Sequence, residues 1–169
     1  MRKMLWALAL VMVAQPGVAG EGMKAVTGKT FDAAMVDHFY LEGNAIPTQK
    51  RNAALLEKDG GARLLVGLLD TSGYGTEIQQ KYTGLLITEA KAMVGGAELA
   101  VGAYGFGLMK PEAEGGAAKV LFYDVAGQKV AEGTAPFDAA AAQPAPLKVV
   151  AAEGQPTRIY LGKYYVDVQ

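Results

Sequence analysis

The seven residues from Ala103 to Met109, AYGFGLM, constrain this chain more than any other stretch. Tyr104, Phe106 and Leu108 alternate there with Ala103, Gly105 and Gly107. Side chains point to opposite faces along a strand, whereas a helix would spread this pattern around its circumference. The segment therefore reads as a strand with one bulky apolar face and one face of nearly bare backbone. Glycine within a strand packs nothing and loses more backbone entropy on folding. Two glycines at alternate positions imply that something approaches that backbone closely. A packed part of this chain would satisfy the pattern, and so would a ligand or partner, which makes Gly105 and Gly107 candidate surface residues.

The rest of the chain follows the same grammar of short apolar segments between glycine-rich turns. Lys81 onward gives a strand, a tight turn at Gly95-Gly96 and a short second limb before Ala103. Ala53–Lys58 and Ala62–Leu69 read as strands joined by Asp59-Gly60-Gly61, a hairpin signal. The second of these, containing RLLVGLL, is continuously apolar and suits a central position. Asp70–Gly75 is a loop, and Thr76–Gln80 can form one helical turn. Downstream, Pro111–Ala117 is a loop, Lys119–Val125 a strand, and Ala126-Gly127 a turn into Gln128–Glu132. Asp138–Pro146, DAAAAQPAP, reads as a low-complexity linker. Leu147–Ala152 and Thr157–Val168 make a last hairpin around Glu153-Gly154-Gln155-Pro156. Ala45–Asn52 reads as a polar connection around Pro47. Thr30–Leu41 is ambiguous: a helix capped by Thr30 with Phe31, Met35 and Phe39 on one stripe, or a strand near His38–Glu42, which the β character of the downstream chain favours. The expected fold is a single-domain all-β antiparallel sandwich or flattened barrel built from sequential hairpins.

The N-terminus is of another kind. Arg2 and Lys3 precede an apolar run, Met4–Val13, shorter than the roughly 20 residues that cross a bilayer. Gln15-Pro16-Gly17 breaks the run, and small residues lead to Ala19. This is the pattern of a secretory signal peptide, residues 1–19, followed by a flexible segment, 20–29, and a β domain, 30–169. Export to a bacterial periplasm or the exterior is the expected location. Removal of Arg2 and Lys3, with no acidic residue, takes the formal charge from −1 to −3. About 150 residues remain, enough for one domain with a real core. The chain has no Cys, hence no disulfide framework and no cysteine for lipidation. No apolar run after the leader is long enough to span a membrane, and the scattered charges disfavour nucleic acid as a partner.

Two patterns recur within the glycine-rich part. Val94, Gly95, Gly96, Leu99, Gly102, Tyr104 and Leu108 form a motif that resembles a hairpin of uncharacterised secreted bacterial β-proteins. The resemblance spans Val94–Met109 and implies an exported β-fold, with no activity attached. VGGAELAVGAYGF at Val94 and VAGQKVAEGTAPF at Val125 also match each other, aligning Gly96 with Gly127, Leu99 with Val130 and Gly102 with Gly133. One hairpin design used twice would put Leu99 and Val130 inward; similar turn chemistry without duplication explains the match equally.

Chemistry-bearing residues are few. His38 is the only histidine and Ser72 the only serine. Ser72 lacks the flanking glycines of a nucleophile elbow, so a hydrolase using Ser72 and His38 stands only as an alternative. Asp70, Ser72 and Glu77 sit on one loop as possible oxygen ligands for a metal, against an ordinary turn in which Asp70 bonds its own backbone. No motif for a cofactor is present, and none is expected. The polar run containing Arg51 and Asn52 is the densest hydrogen-bonding cluster, and tyrosines such as Tyr74 could present rings to sugars or peptides. The function expected is a non-catalytic binding or interaction module for a protein, peptide or carbohydrate. A structural subunit pairing through a sheet edge is a further alternative.

Overall fold

The computed structural model describes residues 22–151 and 155–169. The expected leader and its cleavage point lie outside the described residues, as does part of the turn at 153–156. In chain order the elements are β1 (Lys24–Val26), α1 (Lys29–Ala34), β2 (His38–Leu41), β3 (Asn44–Glu57), β4 (Arg63–Leu69), α2 (Thr76–Lys81) and β5 (Gly84–Thr88). They continue with β6 (Ala92–Val94), β7 (Ala97–Leu99), β8 (Gly102–Met109), β9 (Ala118–Tyr123), β10 (Lys129–Ala135), β11 (Ala145–Val150), β12 (Thr157–Gly162) and β13 (Tyr164–Val168).

The strands form two antiparallel sheets. The large one has eight strands in the order β1-β3-β4-β5-β8-β9-β10, with β2 added to β3. The small one has five, ordered β11-β12-β13-β6-β7. The sheets do not close into a barrel, so of the two expected architectures the sandwich is the one formed. Between them lies the main core, in which Leu64, Val66, Leu86, Phe106, Val120 and Phe122 meet Val94, Leu99, Ile159, Leu161, Val166 and Val168.

The large sheet is covered on its other face as well. Met35, Phe39, Leu41, Ile46 and Tyr82 from α1, the β2–β3 hairpin and the end of α2 pack there on Leu55, Leu65, Leu69 and Leu85. This explains the unbroken apolar run of β4: Leu64, Val66 and Leu68 serve one core, Leu65 and Leu69 the other. β4 lies between β3 and β5, the central place its composition suits.

Several expectations change. Residues 24–26, placed in a flexible segment, form β1 on Leu55–Glu57. Buried Met23 holds them, its N–H donating to Thr157 Oγ1 at 2.8 Å. Thr30–Leu41 is both helix and strand, with Gly28 rather than Thr30 as the N-cap of α1. Ala45–Asn52 is no connection but the first half of β3. Its polarity arises because Lys50, Arg51 and Asn52 are left over where the β3–β4 register jumps between Gln49 and Ala53. Thr157–Val168 is two strands, reversed at Gly162-Lys163 where Gly162 takes φ +67°. The repeat is not structural: Leu99 is buried in the small sheet, whereas Val130 is 50% exposed in the large one.

Candidate functional site

The residues singled out in the sequence do not come together. Gly105 and Gly107 are covered by the chain itself, the internal explanation of their bare face. A Cβ on Gly105 would lie 2.8 Å from Tyr82 Cε1 and 2.9 Å from Leu41 Cδ1, and one on Gly107 would collide with the carbonyl oxygen of Lys81. Tyr74 packs part of its ring on the outer core and donates its hydroxyl to the Ala45 carbonyl. Arg51 is exposed in the β3 bulge. Asn52 turns back within the same bulge, its Nδ2 donating to Gln49 Oε1 at 2.8 Å. Pro47 separates His38 from the Asp70–Ser72 loop, pairing with His38 on one side and accepting the Asp70 N–H on the other. Ser72 donates its hydroxyl to Asp70 Oδ1 at 2.6 Å, and its N–H donates to the same oxygen at 3.2 Å. That is an Asx-turn, and these bonds, the side-chain one foremost, hold the Asp70 carboxyl below the usual carboxylate range. Among the described residues no group of three or more His, Cys, Asp or Glu side chains is placed to hold a metal.

Two other places concentrate chemistry. The first is a clasp on the outer face of the large sheet. Glu42 and Gly43 form the two-residue turn of the β2–β3 hairpin, both at positive φ (+51° and +77°). Such a turn normally takes Asn-Gly, and glutamate there carries a backbone cost. Its carboxylate accepts from Lys81 Nζ, and from the Tyr82 hydroxyl at 2.6 Å. Lys81 Nζ also donates to the Gly127 carbonyl at 2.7 Å and lies 5.0 Å from the Tyr123 ring centroid. The Lys81 hydrogen bond, then that of Tyr82, holds the Glu42 carboxyl below its ordinary range. Burial first, and then Glu42, pushes the Tyr82 hydroxyl up so that it stays a donor. Carboxylate, ammonium and phenol are spent on one another here. The clasp ties the β2–β3 turn, the end of α2 and the turn at Gly127 to one another.

The second place is the outer face of the small sheet. After β10, Pro136–Asp138 runs beside the start of β13, with Asp138 N–H donating to the Lys163 carbonyl at 2.8 Å. The chain then crosses to the opposite edge, where Ala145 pairs with Gly162. Asp138 anchors this strap: its Oδ1 accepts the Ala140 N–H and its Oδ2 the Tyr160 hydroxyl, each at 3.0 Å. Burial, then the Asp138 bond, raises the Tyr160 pKa and keeps its proton in place. Between strap and sheet lies a groove of about 410 Å³, lined by Asp138, Ala140–Ala142, Gln143, Ala145, Lys148, Val150, Tyr160 and Gly162, a volume in the usual small-molecule range. Beside it Arg158 pairs with Asp167 at 3.0 Å and stacks 4.4 Å from the Tyr165 ring centroid.

The void among Val66, Phe106, Phe122, Ile159 and Val166 is about 10 Å³, too small for more than a single water. Several sheet edges are short or partly occupied. β1 and β7 are three residues long, β11 carries Pro146, and β10 spends the Thr134 N–H on the Gly95 carbonyl at 2.8 Å. Among the described residues no helix is long and apolar enough to cross a membrane.

Sequence reasoning missed the strap because Ala-rich composition resembles a linker. The usable signal was Asp138 before small residues, an Asx-turn pattern that anchors a chain. Compared with protein-family models, curated proteins and solved structures, the chain finds no match.

Proposed function

We propose that this protein is an exported, non-catalytic binding module that takes its ligand in the groove between the Asp138–Ala145 strap and the outer face of the small sheet. The observation that carries this reading is the groove itself, with a tyrosine fixed in its wall by Asp138. Binding sites pair apolar surface with a few placed polar groups, and Tyr160, Lys148 and Gln143 supply that mixture against alanine methyls. The filled interior supports a ligand held outside the sandwich. Export rests on the N-terminal pattern of a basic pair, an apolar run and small residues. The arrangement of Ser72 and His38 offers no support for the hydrolase reading, since the Ser72 hydroxyl is given to Asp70.

Ligand-observed NMR with a fragment panel of sugars, short peptides and small anions tests the reading, using the full chain and its Tyr160→Ala variant. Fragments that bind the first and lose binding to the second support it. An empty screen, or binders indifferent to Tyr160→Ala, would overturn it.

A further inference from the structure

The outer face of the small sheet has a chemical character beyond the presence of a groove. Cross-strand partners share a face, and two rows of three stand there in register: Lys148, Tyr160 and Tyr165, then Val150, Arg158 and Asp167. Building on the reading of this face as the binding surface, we propose that its ligand is a neutral oligosaccharide, seated with one sugar ring against the groove side of Tyr160.

Charge is the first ground. Arg158 is taken up by Asp167 and by the Tyr165 ring. The groove itself is lined by one cation, Lys148, and one anion, Asp138. Their charges offset one another, so a polyanion or a polycation gains little local attraction from the groove lining.

Hydrogen-bonding chemistry is the second. A sugar hydroxyl both donates and accepts, so one ring can meet the Asp138 carboxylate, the Lys148 ammonium and the two ends of the Gln143 amide together. The third ground is the platform. The Tyr160 ring is held at its tip by Asp138 and on one side by Tyr165, with ring centroids 5.5 Å apart. A ring already fixed loses little freedom when a ligand settles on it, and its face is apolar, matching the C–H side of a pyranose.

An extended peptide fits less well. Peptides commonly add a strand to a sheet edge. The edge strand bordering this groove, β11, has Pro146, which lacks an N–H, and a register irregularity between Ala145 and Lys148. The apolar lining is methyl-sized, from Ala140–Ala142, Ala145 and Val150, and gives no socket for a large side-chain anchor.

The test is amide-resolved NMR titration of the 15N-labelled full chain. The neutral probes are hexasaccharides of β-1,4-linked glucose, α-1,4-linked glucose and β-1,4-linked N-acetylglucosamine. A mixed-sequence hexapeptide and a heparin hexasaccharide stand beside them. At least one neutral hexasaccharide should saturably shift amides in 138–148 and 158–165. Tyr160→Ala should weaken that binding by about tenfold or more, as loss of a central aromatic contact does. Tyr160→Phe, which keeps the ring but loses the bond to Asp138, should weaken binding less than Tyr160→Ala does. The spectrum of each free variant reports its folding. Should Tyr160→Ala misfold, Lys148→Ala at the groove rim must weaken binding by at least about threefold for the proposal to stand. Shifts in the groove from peptide or heparin with none from the neutral probes would overturn the sugar assignment and leave the groove as a binding surface. If no probe moves the groove, or Tyr160→Ala binds the sugar unchanged, both readings fall.

Discussion

Adding one methyl group to the bare face of β8 tests how the large sheet is sealed. At Gly105 the new Cβ meets the Tyr82 ring at 2.8 Å and the tip of Leu41 at 2.9 Å. Leu41 can turn aside, but Tyr82 is anchored through its hydroxyl to Glu42. At Gly107 the obstacle is the backbone carbonyl of Lys81, which cannot move without shifting the end of α2 and the lysine of the clasp. Overpacking of this kind costs about 1–3 kcal/mol, more where backbone must move. The opposing terms are smaller: a better strand former gains up to about 1 kcal/mol, and loss of glycine's freedom in the unfolded chain gives about 0.4–1 kcal/mol. Gly105→Ala should therefore destabilise by about 1–2 kcal/mol, and Gly107→Ala by about 3 kcal/mol or more. Gly73, at a negative or extended φ with nothing within 4 Å of a built Cβ, is the control. Gly73→Ala should be neutral or stabilising by a few tenths to about 1 kcal/mol. Urea denaturation followed by circular dichroism gives all three values, and thermal melts should show about 2–4 °C per kcal/mol. Equal stability of Gly107→Ala and wild type, or a reversed order of the two β8 variants, would refute the packing argument.

Other substitutions probe other joints. Glu42 has its pKa depressed in the fold, so the stability it contributes is present above the ordinary glutamate value of about 4.3 and lost as pH falls through the depressed value. Stability of wild type over Glu42→Gln should thus be largest near neutrality and shrink in acid; a difference constant from about pH 7 to pH 2.5 would count against the clasp. Thr157→Val leaves the buried Met23 N–H without its acceptor and should cost about 1–3 kcal/mol, with faster hydrogen exchange in β1 as the local readout. Gly162→Ala, at φ +67° in open space, should cost about 1 kcal/mol in urea titration through backbone strain alone; no loss would show that the turn is not held there. Mass spectrometry of protein recovered outside the cytoplasm should find an N-terminus at or within a few residues of Gly20, and an intact Met1 would end the export reading.

Elements whose signals are local could be read from the chain. The Asp59–Gly61 turn, the short α2 helix and the Gly95-Gly96 hairpin each carry their cause within a few residues. The two faces of β8 were legible for the same reason, because strand alternation needs no tertiary knowledge. The hidden elements depended on distant partners. β1 pairs with Leu55–Glu57 and is tied down just before it by Thr157, far along the chain, which accepts the Met23 N–H. The first half of β3 looks like a loop because its bulge gathers Lys50, Arg51 and Asn52, residues whose polarity says nothing of the ladder beside them. The division of β12 from β13 had a local signal, a glycine between alternating runs, obscured by strong strand formers on both sides. The groove was the least legible. Tyr160 was one aromatic among several, and its distinction is Asp138, brought to its hydroxyl only by the path of the strap.

The order of strands in the small sheet sets a timetable for the chain's synthesis. β6 and β7 are made midway, yet in the finished sheet β6 rests on β13, where Val94 pairs with Val168 and Met93 exchanges both backbone bonds with Gln169. Until β12 and β13 have been made, only the β6–β7 hairpin is there to cover the face bearing Val66, Leu86, Phe106 and Phe122. A nascent chain at that stage would be a half-built sandwich with a broad adhesive side, prone to the associations that trap slow β-proteins. Folding of the sandwich therefore waits on residues 157–168, and any factor that holds the chain open until they are available would raise the yield.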